Sequence, residues 1–172
     1  YMKNILIFGL GVSGQGVLNF CKEREINFAV YDDDASKCIG NLDDLSVVDL
    51  VVSSPGVPKD HKFLLTIKEA GWKLISDLQL FKYFAKPSIK IIWITGSNGK
   101  STTASLMYHI LKKAGKNVFF GGNIGNTPLV KEAFEAEFCI FEVSSFQLEI
   151  TNFIFDASAI LNISNNHSAS HG

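Results

Sequence analysis

Ile94-Thr95-Gly96-Ser97-Asn98-Gly99-Lys100-Ser101-Thr102 is the stretch on which the reading of this chain turns. A strongly strand-like run, Ile89–Thr95, enters a short loop carrying two glycines, and Lys-Ser-Thr then opens a helix predicted over Lys100–Ala114, with Gly115 as its stop. A loop of this kind turns backbone N–H groups toward phosphate oxygens. Lys100 is then placed to reach the β- and γ-phosphates of a nucleoside triphosphate, and the Ser101 hydroxyl to ligate Mg²⁺. The spacing is not G-x-x-x-x-G-K-[ST]: the first glycine of that pattern would fall at Ile94, inside the strand, so Gly96 gives a shorter loop. Gly96, Ser97, Asn98, Gly99, Lys100, Ser101 and Thr102 form the candidate ATP-binding set. The competing reading is an ordinary strand-turn-helix with an exposed lysine.

Working outward, strands are predicted at Asn117–Phe120, Phe138–Phe141 and Ala157–Leu161, with a helix near Pro128–Phe134. Glu142 follows the second of these strands and so shares a rim with the phosphate loop. It reads either as a Mg²⁺ ligand, since that ion prefers oxygen donors, or as a solvated loop acid. Upstream, strands are predicted at Asn4–Phe8, Phe28–Tyr31, Leu50–Val52 and Lys73–Ile75. Helices are predicted at Ser13–Arg24 with Ser13 as N-cap, at Phe63–Ala70 and at Asp77–Phe84. Ala85-Lys86-Pro87-Ser88 reads as a linker, dividing the chain into domains 1–87 and 88–172. Strict alternation of strand and helix implies mainly parallel sheets covered by helices, with ligands at the carboxyl ends of the strands. The fold class is therefore α/β: a Rossmann-like N-terminal domain followed by the first part of a P-loop-type ATPase domain.

The first domain carries its own glycine turn. Gly9-Leu10-Gly11-Val12-Ser13-Gly14 fits G-x-G-x-x-G between a strand and a helix, where glycines allow close backbone approach and the helix start offers N–H groups to phosphate. Asp32 ends the second strand, where an acid accepts hydrogen bonds from ribose or base. The alternative is a turn that only packs helix on sheet. A dinucleotide normally lies across two mononucleotide-binding halves. Here one half precedes the linker and a different phosphate motif follows, which favours a single nucleotide, such as a nucleotide diphosphate sugar, over NAD. Ser54-Pro55-Gly56-Val57 leaves the third strand on the same rim, as a site lining or as a plain turn.

Composition narrows the class. Of 172 residues, 47% are hydrophobic and 19% charged, enough for a packed core and too apolar for wholesale disorder. A net charge of -1 without long like-charge runs argues against nucleic-acid or membrane-surface binding. The apolar runs are shorter than the roughly 18 residues of a membrane span, and Met2-Lys3 runs into a strand without a signal-peptide pattern. Cys21, Cys38 and Cys139 lack metal-ligand spacing, which fits reduced thiols and a cytoplasmic location.

Six segments together resemble the Mur ligase family: Gly9–Gly14, Ser54–Val57, Ser76–Phe81, Thr95–Thr102, Gly122-Asn123-Ile124-Gly125 and Glu142-Val143-Ser144-Ser145-Phe146-Gln147-Leu148-Glu149. The last two, with the opening Gly-Leu-Gly-x-Ser-Gly, are most similar to members that add D-glutamate to UDP-N-acetylmuramoyl-L-alanine in peptidoglycan synthesis. The resemblance implies an ATP-dependent carboxylate–amine ligase working through an acyl phosphate, with ATP and Mg²⁺ as cofactors, acting as a monomer. It implies that Gly11, Val12, Ser13, Asp32 and Gly56 face the UDP-sugar, and that Asn123, Ser144 and Gln147 line the junction of ATP and substrate. Asn162 would lie near the nucleotide. Lys100, Glu142 and His167 become the catalytic set, with Ser101, Glu142 and His167 on metal. The chain departs from the family pattern at Asp33 and Asp34, where Ser or Thr and then Arg are usual, and at Gln79, where Glu is usual. It departs again after Ser164, where only His167 and His171 of the family segment survive. The 172 residues alone are expected to be inactive. The rival readings are another Mur-type ligase or folylpolyglutamate synthetase, a P-loop kinase or GTPase, an NAD-dependent dehydrogenase, and a non-catalytic nucleotide-sugar module.

Overall fold

A computed structural model describes residues 4–40, 48–58, 60–122, 126–152 and 155–164. The chain forms two compact units, Tyr1–Leu80 and Phe81–Gly172.

In the first unit, β1 (Asn4–Phe8), β2 (Asn27–Tyr31), β3 (Leu50–Ser53) and β4 (Leu74–Ile75) form one parallel sheet in the order β2-β1-β3-β4. Helix α1 (Val12–Glu23) follows β1, and α2 (Lys62–Glu69) follows β3. Ile5, Leu6, Ile7 and Phe8 are all buried, because a central parallel strand is covered on both faces. Leu6, Phe8, Ala29, Val51, Phe63 and Ile67 make the core on one face. Phe8 pairs in register with Tyr31 and with Ser53. Gly9, Asp32 and Ser54 therefore leave the sheet along one rim.

In the second unit, β5 (Lys90–Thr95), β6 (Val118–Gly122), β7 (Phe138–Glu142) and β8 (Ala157–Ile160) form a second parallel sheet in the order β6-β7-β5-β8. Helix α4 (Lys100–Lys113) lies on the face made by Ile94, Ile140 and Val118, with Ala104 at its buried centre. Ile94 pairs with Glu142, Gly122 with Glu142, and Thr95 with Ile160. These registers bring the ends of four strands to one rim.

The expected α/β class is what the chain adopts, and local boundaries differ for physical reasons. Gly11 rather than Ser13 caps α1, in an extended conformation with no side-chain cap. The helix near Pro128 begins later, as α5 (Lys131–Glu135), after a turn in which Thr127 Oγ accepts from Leu129 N–H. A short helix, α6 (Ser145–Glu149), was not anticipated. The division between units falls inside α3 (Asp77–Phe84), and Ala85–Ser88, read as a linker, lies in the second unit. The reason is Phe81, fully buried, which packs its ring on Phe134 at 4.8 Å and on Phe141 at 5.4 Å between centroids.

Phe81→Ala is expected to remove about 3–5 kcal/mol from the second unit. Amide exchange under mild denaturant should quicken in β5 and β7. Faster exchange confined to β1–β3 would contradict this packing.

Candidate functional site

The first rim is organised by its glycines and by two side chains. Gly9 takes φ +84°, and its N–H donates to Tyr31 O at 2.8 Å. A Cβ on Gly14 would sit 2.0 Å from Gly9 O, so both glycines are required by the turn itself. Gly11 and Gly56 are different: a Cβ on either would meet nothing within 4 Å. Packing within the protein does not require glycine at those two positions, and both border the open rim beside the exposed Val12 and the half-buried Ser13. The Asp32 carboxylate accepts from Leu10 N–H at 2.7 Å and from Asp34 N–H at 3.0 Å. Those two N–H groups hold its carboxyl below the ordinary 3.8. Asp32 thus clasps the glycine turn and still has lone pairs for a ligand. Asp34 is used locally, accepting from Ser36 N–H and Oγ as the cap of a 3₁₀ turn. Asp33 meets His61 Nε2 at 2.8 Å, while His61 Nδ1 accepts from Phe63 N–H to cap α2. Ser54, in the loop read as a site lining or a plain turn, has a structural bond: its Oγ donates to Gly9 O at 2.7 Å and ties the β3 loop to the glycine turn.

The second rim holds the phosphate loop. Gly96 at φ +145° and Gly99 at φ +84° are the two bends that a side chain would strain. Lys100 Nζ donates to Gly96 O at 2.7 Å, so the ammonium lies over the loop it would share with a phosphate. Ser101 Oγ donates to Glu142 Oε2 at 2.9 Å, which joins the first turn of α4 to the end of β7. Glu142 is 1% exposed. Burying a carboxylate is costly unless a partner compensates, and a hydroxyl compensates weakly. Hard oxygen donors from one carboxylate and one hydroxyl, with the other positions left to phosphate and water, suit Mg²⁺. The residues present therefore fit that ion. Among the described residues no group of three or more His, Cys, Asp or Glu could hold a metal by itself.

Two further features share this rim. Gly122 takes φ +113°, and a Cβ there would lie 2.3 Å from Glu142 O. Its glycine is what lets β6 close on β7 beside the carboxylate. Ser144 accepts from Gln147 N–H and Gln147 Oε1 accepts from Ser144 N–H, a reciprocal capping box that starts α6. Gln147 is 1% exposed, so the rim presents Ser144 while Gln147 supports it from beneath. The pattern Ser-x-x-Gln was in the sequence and could have announced that helix. Asn123 and His167 lie outside the described residues. The buried thiols of Cys21 and Cys139 are pushed up to about 12 by desolvation, which makes them inert packing groups. Among the described residues no helix is long and apolar enough to cross a membrane.

Two parallel α/β units, the second built on a strand, a glycine loop and a helix opening with Lys-Ser opposite a strand-end acid, define the phosphate-loop α/β class. Residues 94–172 match the family described as Mur ligase middle domain. The chain is 36% identical over 188 residues to a UDP-N-acetylmuramoylalanine–D-glutamate ligase of Wolbachia pipientis wMel, covering 99% of this chain and 36% of that protein. It is 37% identical over 180 residues to the ligase of the same name from Escherichia coli K12, covering 96% of this chain and 41% of that protein. This chain belongs to the Mur ligase family. It spans about two fifths of the length of these relatives. A crystal structure of UDP-N-acetylmuramate:L-alanyl-gamma-D-glutamyl-meso-diaminopimelate ligase from Neisseria meningitides superposes with a TM-score of 0.58 at 19% identity, over 100% of this chain and 64% of that one. The likeness is one of fold.

Because its folded pKa is lowered, Asp32 stabilises the turn above the ordinary carboxylate value, and this contribution is lost as pH falls through the lower folded value. The Leu10 amide resonance should therefore titrate with a midpoint below 3.8. In Asp32→Asn it should not titrate. A midpoint at or above 3.8 in the unmodified protein would contradict the clasp.

Proposed function

We propose that this chain carries the nucleotide-sugar site and the ATP phosphate site of a cytoplasmic, monomeric ligase that adds D-glutamate to UDP-N-acetylmuramoyl-L-alanine. The observation that carries the reading is the Ser101–Glu142 hydrogen bond beside Lys100, at the mouth of a parallel sheet. The identity of 36–37% to relatives named for that reaction runs through both units. Free cysteines agree with a reducing compartment.

In this reading Gly11, Val12, Ser13, Asp32 and Gly56 receive the UDP moiety. The first turn of α1 offers its unfilled N–H groups to the diphosphate, and Asp32 accepts from ribose or base. The loop Gly96–Thr102 forms the ATP phosphate site. Ser101 and Glu142 would hold a Mg²⁺ ion, which supplies charge neutralisation at the phosphates, and His167 would hold a second. The substrate carboxylate oxygen attacks the γ-phosphorus, the bond to ADP breaks, and an acyl phosphate forms. The amine of D-glutamate then attacks the acyl carbon, loses a proton, and inorganic phosphate departs. Lys100 offsets charge on the transferring group, while Asn123 and Ser144, the latter braced by Gln147, border the reacting carboxylate. No protein nucleophile takes part, so positioning and electrostatics carry the rate.

The test is product formation by the full-length protein containing these residues. With ATP and UDP-N-acetylmuramoyl-L-alanine, D-glutamate should release phosphate, and L-alanine and meso-diaminopimelate should not. Lys100→Ala should lower turnover by about 10²–10³-fold. Equal turnover with meso-diaminopimelate would refute the amino-acid assignment, and an unaffected Lys100→Ala protein would refute the phosphate site.

A further inference from the structure

The geometry points to Asn162 as the residue that positions the phosphate loop, acting on the loop's backbone. The inference rests on the ATP site proposed above and adds to it a residue that works without touching the phosphates.

Strand β8 runs parallel to β5, and Leu161 N–H still donates to Thr95 O at 3.0 Å as the strand ends. The chain then folds over the loop. Asn162 O accepts from Ser97 N–H at 3.0 Å. The Asn162 side chain accepts from Asn98 N–H through Oδ1 at 2.9 Å and donates from Nδ2 to Asn98 O at 2.9 Å. Ser164 N–H donates to Ser97 Oγ at 2.8 Å, and Ser97 Oγ donates to Ser164 O at 3.3 Å. A primary amide has one acceptor and one donor edge, which match the N–H and C=O of a single residue. Asp lacks the donor, and an aliphatic side chain lacks both groups.

The loop needs such a partner. Ser97 and Asn98 lie between two glycines in left-handed conformations, in neither β5 nor α4. Without help these two residues would bear the full entropy of a flexible hinge. The same segment dictates Gly96, since a Cβ there would lie 3.2 Å from both N and O of Asn162. The clamp has a firm base, because at the start of β8 Asp156 accepts from Ile91 N–H at 2.9 Å and pairs with Lys90 at 2.8 Å.

The clamp also divides the loop's labour. The amides of Ser97 and Asn98 are committed to Asn162. The helix's own first bond of this turn is Thr103 N–H to Gly99 O, so the amides of Lys100, Ser101 and Thr102 remain free of intrahelical partners. Those three are the ones to receive the phosphates. Gly96–Asn98 shape the mouth.

The experiment compares Asn162→Ala and Asn162→Asp with the unmodified chain, using amide exchange and titration with Mg·ATP and with UDP-N-acetylmuramoyl-L-alanine. In Asn162→Ala, Asn98 amide exchange should quicken at least tenfold while amides of β5 and β7 keep their protection, and Mg·ATP affinity should fall about tenfold. UDP-sugar affinity should not change. Asn162→Asp retains the acceptor for Asn98 N–H, so its exchange rate should lie between the other two. Unchanged Mg·ATP affinity in Asn162→Ala, or equal Asn98 exchange in Ala and Asp variants, would overturn the clamp and leave the ATP site standing. An unmodified chain that fails to bind Mg·ATP would overturn the site and the clamp together.

Discussion

A carboxylate buried at the end of a parallel strand is an unstable element unless something on the same rim compensates it. Glu142 occupies that position, and the geometry of the second unit converges on it. Register places it beside Ile94, one strand over, so the phosphate loop that leaves β5 rises next to it. The first turn of α4 brings Ser101 Oγ to 2.9 Å. Gly122 gives up its side chain so that β6 can close on it. Together they set the Glu142 carboxylate and the Ser101 hydroxyl, two hard oxygen donors, side by side, where a magnesium nucleotide would complete its shell.

The two units use glycine in two ways. Gly9, Gly14, Gly96, Gly99 and Gly122 answer to backbone conformation or to a neighbour too close for a Cβ. Gly11 and Gly56 answer to neither, and both stand at an open mouth. The contrast is physical: one group of glycines shapes the turns, and the other leaves room beside them. The first rim also shows a motif acid at work without any ligand, since Asp32 fastens Leu10 and thereby the whole glycine turn.

What the sequence made legible was periodic or local. Alternating strand and helix announced parallel sheets, and Lys100-Ser101 after two glycines announced the loop. The glutamate closing an apolar strand marked the opposite wall. What stayed hidden depends on distance along the chain. Asn162 meets Asn98 across 64 residues, a pairing set by the β5–β8 register. Ser54 meets Gly9 O across 45 residues through the β1–β3 register. The division inside α3 was hidden because Phe81 reads as an ordinary apolar helical position, and only its ring contacts with Phe134 and Phe141 assign it to the second core. The start of α6 follows from Ser144-x-x-Gln147, a local capping signal carried by the sequence. Ser13 looked like a cap by residue type, yet the chain turns helical at Val12, with Gly11 as an extended N-cap that makes no side-chain cap bond.

The central claim is that Glu142 and Ser101 together hold the metal of a magnesium nucleotide. Calorimetric titration of the chain with ATP, with and without Mg²⁺, tests it most directly when repeated on Glu142→Gln. The account predicts that Mg²⁺ strengthens ATP binding to the unmodified chain at least tenfold and that this gain disappears in Glu142→Gln. A gain of the same size in both proteins would contradict it.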